Sequence, residues 1–236
     1  MNKSVCLIPA RGGSKRLPRK NARKLAGHPL VAYTIMAATE SGCFDSVVVS
    51  SDDKEILDIA AQYGAQIDVR PEYLAGDTIK ATQVLDEFLK RPENQEKWDS
   101  ICMCLPTCPL RTAQHLIDAM NIFKANKSEI PFLVGVTKYE FPPQLAMTLN
   151  EEGTVVTPNS PAAYLNTRSQ DNTPTYHPNG SVYLATTEAY LEKSTFFAEK
   201  MLAHILPAEA SLDIDYEYQL DIIEGFLNHK KQGELN

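Results

Sequence analysis

Short apolar runs alternate with amphipathic segments from Val5 to Thr137. The runs have the length and the β-branched content of buried strands, whereas the segments between them carry apolar residues at helical spacing. Strands that alternate with helices predict a mostly parallel sheet flanked by helices, which is a Rossmann-like α/β fold. The predicted strands are Val5–Ile8, Ser46–Ser50, Gln66–Val69, Ser100–Leu105 and Phe132–Thr137, and the predicted helices are Leu30–Ser41, Lys54–Tyr63, Thr78–Leu89 and Ala113–Ala125. Asp52 and Thr112 are the expected N-caps of two of these helices.

The alternation stops between about Pro142 and Pro178, where prolines and polar residues replace the helical pattern. Apolar residues such as Leu145 and Tyr164 recur in this stretch, which argues against disorder. A further strand is predicted at Ser181–Ala185. We therefore expect residues 1–236 to form a single domain with an inserted lobe at about 142–178.

A loop with two glycines and five cations follows the first predicted strand, between Ile8 and Asn21. Glycine exposes backbone N–H groups to an anion, and arginine and lysine neutralise phosphate oxygens. Open α/β sheets bind ligands at the carboxyl ends of their strands, where this loop lies. The loop matches neither a Walker motif nor the dinucleotide fingerprint. The alternative is a solvated basic loop, but its position favours a triphosphate site.

The chain as a whole is acidic, with a net charge of -7, whereas the loop between Ile8 and Asn21 is positively charged. An acidic chain is not expected to bind nucleic acid in general. No apolar run approaches the roughly 20 residues of a membrane span. No signal peptide is recognised before the first strand, so we expect a cytoplasmic protein without membrane contact.

Five cysteines occur in the chain, and we expect no disulfides among them because the cytoplasm is reducing. Cys102, Cys104 and Cys108 lie close together in sequence. Their spacing is not that of a structural zinc site, which usually has four ligands and two-residue gaps, so zinc is not expected.

Asp213 and Asp215 are separated by one apolar residue, so an extended backbone would turn both carboxylates to one face. Such a pair suits a hard divalent cation, Mg²⁺ or alternatively Mn²⁺. Acidic residues are also favoured where a helix begins, and a helix is predicted from Tyr216 to Leu227. Spacing alone leaves both interpretations open.

The chain resembles the acylneuraminate cytidylyltransferases. The resemblance rests on the loop from Ile8 to Asn21 and on later segments in the same order, namely Ser50–Asp52, Arg70–Pro71, Pro106–Arg111, Pro178–Tyr183 and Ser211–Asp215. It implies a nucleotide-diphosphosugar transferase-like fold and an enzyme that joins CTP to a nonulosonic (sialic-type) acid with release of pyrophosphate. It also implies a homodimer whose lobe reaches into the partner's active site.

The resemblance assigns roles to individual residues. It implies catalytic roles for Arg11, Lys20 and Asp213, and metal binding by Asp213 and Asp215. The implied nucleotide-binding residues are Ala10, Arg11, Gly12, Lys15, Lys20, Asn21 and Arg70, with Thr82 beside Ala81 where the family often has a serine.

The implied sugar-binding residues are Leu105, Thr107, Arg168, Gln170, Asn179, Tyr183, Phe196 and Phe197. Arginine at position 168 would suit the substrate carboxylate, whereas two adjacent phenylalanines are more often ordinary core. Leu105 stands where the family usually has glutamine, and Cys108 where it frequently has serine. A leucine cannot hydrogen-bond the sugar.

N-acetylneuraminate is the expected substrate. The alternatives are legionaminic, pseudaminic, deaminated sialic or octulosonic acid. A catalytically silent nucleotide-binding regulatory protein is the alternative from another functional class.

Overall fold

The computed structural model describes residues 3–156 and 173–233. Its strands are β1 (Ser4–Pro9), β2 (Lys24–Leu25), β3 (His28–Pro29), β4 (Ser46–Ser51), β5 (Gln66–Val69), β6 (Ser100–Met103), β7 (Phe132–Lys138), β8 (Thr148–Leu149), β9 (Val155–Val156), β10 (Tyr176–Thr186) and β11 (Leu202–Ile205). Its helices are α1 (Leu30–Glu40), α2 (Lys54–Gln62), α3 (Ala81–Lys90), α4 (Ala113–Asn126), α5 (Thr187–Lys193) and α6 (Glu217–Gly233).

Seven strands form one sheet in the order β11-β7-β10-β6-β1-β4-β5. Only β10 runs antiparallel to its neighbours in this sheet, and the other pairs are parallel. The prediction of a mostly parallel α/β sheet is confirmed.

Strand β1 is central and buried on both faces. Because side chains alternate along a strand, Cys6 and Ile8 belong to one core cluster and Val5 and Leu7 to another. Helices α1, α2 and α4 contribute apolar residues to the first cluster, and α3 and α5 contribute to the second. The sheet is thus covered by helices on both faces, which explains why its inner strands are mostly apolar.

Helix α2 begins at Lys54 as predicted, but its N-cap is Asp53. The side chain of Asp53, not Asp52, accepts a hydrogen bond from the Ile56 N–H. Thr112 caps α4 as predicted. Helix α3 begins at Ala81 rather than at Thr78, because the preceding residues form a turn closed by the Ile79 N–H and the Gly76 carbonyl. Among the described residues, no helix is both long and apolar enough to cross a bilayer.

The described part of the predicted lobe, up to Val156, contains a 3-10 turn at Pro143–Leu145 and a hairpin of β8 and β9. At the far end of the predicted lobe, Tyr176, His177 and Pro178 belong to β10 and pair with β7. Exposed apolar side chains in and before the hairpin include Phe141, Met147, Leu149 and Val155. A role in dimerisation stays a prediction.

Gly135 in β7 provides a stability test of the sheet. A Cβ atom there would lie 2.4 Å from the Oγ of Ser181 and 2.9 Å from a Cγ of Val182. Gly135→Ala should therefore lower the free energy of unfolding by about 1–3 kcal/mol, the usual cost of overpacking. Gly225→Ala is the matched control, because Gly225 is exposed in α6 and a methyl group there would meet no neighbour within 4 Å. It should stabilise the protein by about 0.5–1 kcal/mol. Urea unfolding measures both, and equal effects would contradict this packing.

Candidate active site

A cleft of about 370 Å³ opens at the carboxyl edge of the sheet. The cleft collects residues from the loop after β1, from the end of β5, from the segment after β6 and from the segment before α6. Its walls include Pro9, Arg11, Gly13, Ser14, Lys15, Arg16, Lys20, Asn21, Arg70, Asp77, Ala81, Leu105, Pro106, Thr107 and Asp215.

The backbone of the loop after β1 is held against the β4–α2 turn. The Ala10 N–H donates to the Ser50 carbonyl at 2.9 Å, and the Gly12 N–H donates to Asp52 Oδ1 at 3.0 Å. A Cβ on Gly12 would lie 2.7 Å from the Cβ of Asp53, so only glycine fits there without displacement. The N–H groups of Ala10 and Gly12 are therefore engaged within the protein.

Asn21 holds the backbone of the loop through a buried side-chain hydrogen bond. Its side chain is buried and donates from Nδ2 to the Arg11 carbonyl at 2.9 Å. Its buried Oδ1 has no hydrogen-bond partner among the described residues. A buried acceptor without a partner is costly, and a ligand hydroxyl would satisfy it.

Two loop cations share one carboxylate. Arg11 Nη1 lies 3.0 Å from Asp77 Oδ1, and Lys15 Nζ lies 2.7 Å from Asp77 Oδ2. The hydrogen bond from Lys15 is the largest influence that lowers the pKa of Asp77 below its usual value, and the charges of Lys15 and Arg11 add to it. Asp77 thus supplies the negative charge that these cations would otherwise take from an anion.

Lys20 joins the loop to the segment before α6, 195 positions away along the chain. Its Nζ donates to the Ile214 carbonyl at 2.7 Å and to Asp215 Oδ1 at 2.9 Å. Arg16 Nη1 lies 2.8 Å from the other oxygen of Asp215. The Asp215 carboxylate is therefore held between two cations at the mouth of the cleft.

Asp213 lies in a different electrostatic environment. The Asp213 side chain is exposed to solvent but lies in a recess of the protein surface. Partial loss of hydration in this recess raises the pKa of its carboxyl group. The side-chain hydrogen bond with Thr107 opposes this shift, and the nearby charge of Asp215 reinforces it. Asp213 lines a neighbouring cavity of about 420 Å³, whereas Asp215 lines the cleft.

The two aspartates do not start helix α6. Instead, the side chain of Gln219 in the first turn of α6 closes this end of the helix: its Oε1 accepts from the Asp215 N–H at 2.6 Å and from the Tyr216 N–H at 2.8 Å. Among the described residues, neither aspartate side chain accepts a backbone hydrogen bond from α6. Two hard carboxylates this close in the chain, one of which raises the pKa of Asp213 by its charge, fit a divalent cation that would offset their repulsion.

Arg70 is buried at the end of β5. It donates from Nη2 to the Ser50 carbonyl at 2.7 Å, while its Nε has no partner among the described residues. Burial lowers its pKa. Thr82, expected to bind the nucleotide, does not line the cleft, whereas its neighbour Ala81 does. The Thr82 carbonyl accepts from the Tyr190 hydroxyl at 3.0 Å.

The residues expected to bind the sugar differ in whether they line the cleft. Leu105 and Thr107 line the cleft. Asn179 is buried, and its amide already bonds Ser211 and Ser181. Its side chain thus supports the stretch of β10 between Pro178 and Tyr183, where the register with β7 shifts.

The two phenylalanines expected to bind the sugar, Phe196 and Phe197, differ in burial. Phe196 is fully buried, with its ring 4.9 Å from that of Tyr190, so it is a core residue. Phe197 is 49% exposed and lies 6.1 Å from the ring of Tyr183. Burial raises the pKa of Tyr183 to about 12, which keeps its hydroxyl protonated. Arg168 and Gln170 lie outside the described residues.

Sequence reasoning missed Asp77 and gave Arg16 no individual role. Arg16 could have been found, because it is one of the five loop cations. Asp77 carries no sequence signal for its role, since its contacts with Arg11 and Lys15 cross more than 60 positions.

Comparison with known proteins identifies the family of the chain. The family model described as "Cytidylyltransferase" matches residues 5–200. The pseudaminic acid cytidylyltransferase of Campylobacter jejuni (serotype O:2) is 39% identical over 215 residues, which cover 90% of this chain and 91% of that protein. The N-acylneuraminate cytidylyltransferase of Escherichia coli O18:K1:H7 is 36% identical over 214 residues, 90% of this chain but 49% of that protein.

A solved structure of CMP:2-keto-3-deoxy-manno-octonic acid synthetase in complex with CTP superposes with a TM-score of 0.72. The match covers 97% of this chain and all of that chain at 14% identity, so it bears on the fold alone. Together with the family match, these findings show that the chain belongs to the cytidylyltransferase family and is a nucleotidyltransferase.

Asp77 provides a test of the electrostatic balance in the cleft. Asp77→Asn should tighten pyrophosphate binding, because Arg11 and Lys15 lose a competing anion. Each exposed ion pair contributes little in water, so the loss of both predicts pyrophosphate binding that is roughly two- to thirtyfold tighter. Asp58→Asn is the control, since it breaks the exposed pair with Lys54 away from the cleft. Titration calorimetry at low salt measures both, and unchanged or weaker binding by Asp77→Asn would contradict the competition.

Proposed function

We propose that this enzyme transfers CMP from CTP to the anomeric hydroxyl of a nonulosonic acid and releases pyrophosphate. The observation that carries the proposal is the meeting of Arg11, Lys15 and Lys20 with Asp215 in one cleft, beside Asp213. Such a set suits displacement at a phosphorus atom, in which negative charge must be neutralised on both the attacked and the leaving groups.

The loop cations are the proposed triphosphate ligands. When the nucleotide binds, Arg11 and Lys15 leave the Asp77 carboxylate and contact phosphate oxygens. Lys20 contacts the same phosphates while its Nζ stays hydrogen-bonded to the Ile214 carbonyl. No side chain in the described loop is paired with a base that would make it a nucleophile. We therefore assign the attack to the sugar hydroxyl itself.

Arg70 and Asn21 are the proposed nucleoside ligands. Each is buried at the cleft wall and has an unsatisfied polar atom, Nε of Arg70 and Oδ1 of Asn21. A guanidinium suits a base carbonyl, and an amide oxygen suits a ribose hydroxyl. These two contacts orient the nucleotide while the loop cations hold its phosphates.

Asp213 and Asp215 are the proposed ligands of Mg²⁺. When bound, the ion would act as a Lewis acid on phosphate oxygens. Thr107 orients the Asp213 carboxylate, and Lys20 and Arg16 orient Asp215.

For the sugar, we favour a 5,7-diacylamino nonulosonic acid, such as pseudaminic or legionaminic acid, over N-acetylneuraminate. These acids have a terminal methyl group and fewer hydroxyls, and Leu105 in the cleft wall can form no hydrogen bond. The relative from Campylobacter jejuni matches this chain over nearly its full length, and its name supports the same choice.

A substrate panel tests the proposed function. Pyrophosphate release should require CTP and should be faster with pseudaminic or legionaminic acid than with N-acetylneuraminate or an octulosonic acid. A site that hydrogen-bonds a hydroxyl discriminates strongly, so Leu105→Gln should shift the preference toward N-acetylneuraminate. CTP binding without turnover on any sugar acid would instead indicate a regulatory protein.

Lys20 should be essential for turnover. Lys20→Met keeps much of the side-chain length but removes the charge, and losing one transition-state donor costs about 3–4 kcal/mol, or roughly 10²–10³ in kcat. Lys24→Met is the control, because Lys24 is exposed on β2 outside the cleft. Steady-state kinetics on both folded variants decide the matter. Near-normal turnover by Lys20→Met would remove the assigned role, and Arg11→Ala should behave as Lys20→Met does.

Metal dependence tests the aspartates. Activity should require a divalent cation, and Asp213→Asn should raise the Mg²⁺ concentration needed for half-maximal rate while reducing kcat. Asp221→Asn, on the exposed side of α6, should leave the Mg²⁺ curve unchanged. Rate measured against Mg²⁺ concentration compares the variants, and superimposable curves for Asp213→Asn and wild type would exclude the metal role.

A further inference from the structure

Three cysteines converge in the core on the face of the sheet covered by α1 and α4. Cys6 in β1 is the direct register partner of Cys102 in β6, and Cys104 lies two residues further along. Their sulfur atoms all lie within 4.8 Å of one another, with 3.6 Å between those of Cys102 and Cys104. All three side chains are fully buried.

Arg111 places an unbalanced positive charge beside this cluster. Its guanidinium is buried and donates to neutral acceptors: the Ser181 carbonyl at 2.6 Å, the Leu105 carbonyl at 3.3 Å and the Thr34 hydroxyl. Within residues 3–156 and 173–233 it forms no ion pair with a carboxylate, and its Nε has no hydrogen-bond partner. Its charge acts on the sulfur atoms of Cys6 and Cys104. A buried charge without a counter-charge is expensive.

We propose that Cys6, Cys102 and Cys104 form a binding site for a soft divalent d¹⁰ cation of the zinc and cadmium class. Thiolates are the preferred ligands of such ions. On binding, each of the three thiols would form a sulfur–metal bond and release one proton to solvent. Three thiolates, one divalent ion and the Arg111 guanidinium then sum to zero charge.

The spacing of the sulfurs agrees with this coordination. With metal–sulfur bonds of about 2.3 Å, three sulfurs around one ion lie roughly 4 Å apart. Chain spacing had argued against zinc at Cys102, Cys104 and Cys108. The cluster differs from that set, because Cys108 donates to the Asn179 carbonyl at 2.8 Å and Cys6 takes its place.

The site would tie β1 to β6 directly below the cleft. Cys6 lies in the strand that leads into the cationic loop, and Cys104 immediately precedes Leu105. An ion bound there would link these two strands without touching CTP or the sugar, so its main effect would be on stability.

Cadmium is the probe, because thiolate-to-cadmium charge transfer absorbs in the ultraviolet. The full chain is produced in cells grown with added Cd²⁺, so that the ion can enter while the chain folds, and is then dialysed. We expect one tightly held Cd²⁺ per chain, a charge-transfer band and a higher Tm than that of metal-free protein. Cys102→Ala should lose the band and the bound ion, whereas Cys43→Ala, which alters a cysteine outside the cluster, should keep both.

Two results would overturn the proposal. One is wild-type protein that holds no cadmium after dialysis, which would make the thiols ordinary core residues. The other is an equal band in Cys102→Ala and wild type. If Cys102→Ala does not fold, X-ray absorption at the cadmium edge of the wild type replaces it: three sulfur neighbours support the site, and oxygen or nitrogen neighbours exclude it.

Discussion

The parallel pairing of β1 between β4 and β6 is the constraint on which the rest of the molecule depends. Val5 pairs with Ser46 on one side and with Ile101 on the other, and the strand is shielded by helices on both faces. Parallel strands end at the same edge, so this pairing brings the loop after β1, the turn after β4 and the segment after β6 together. The cleft is a consequence of that register, and a slip of one residue would exchange the two core faces.

The cations of the cleft are balanced before any ligand arrives. Asp77 partners Arg11 and Lys15, and Asp215 partners Lys20 and Arg16. This balance lets an acidic chain collect cations in one cleft without the cost of clustered like charges. In the function proposed above, a triphosphate would compete with these carboxylates, and a divalent ion that took Asp215 as a ligand would shift the competition in favour of the triphosphate.

Most of the sheet could be predicted from the sequence, because buried strands and amphipathic helices have distinct periods. Strand Gln66–Val69 and the start of helix α1 at Leu30 agree with the prediction. The prediction of a residue's role was wrong where two adjacent residues fitted the same local pattern equally well. Asp52 and Asp53 are both good N-caps, and only the contact of Asp52 with Gly12 determines which of them caps α2. Phe196 and Phe197 are identical in type, yet packing buries the first and exposes the second.

The sequence by itself determined the class of fold, the strand that carries the cationic loop and the two aspartates before the last helix, because each is a short-range pattern. Tertiary structure alone decided which residues meet. It placed Asp77 between Arg11 and Lys15. It brought the Gln219 side chain to the backbone N–H groups that precede α6. It also brought Cys6, and not Cys108, next to Cys102 and Cys104. The physical reason is that ion pairs and sulfur contacts depend on distances of a few ångströms. Distances between residues remote along the chain arise only when the sheet register and the helix packing are complete.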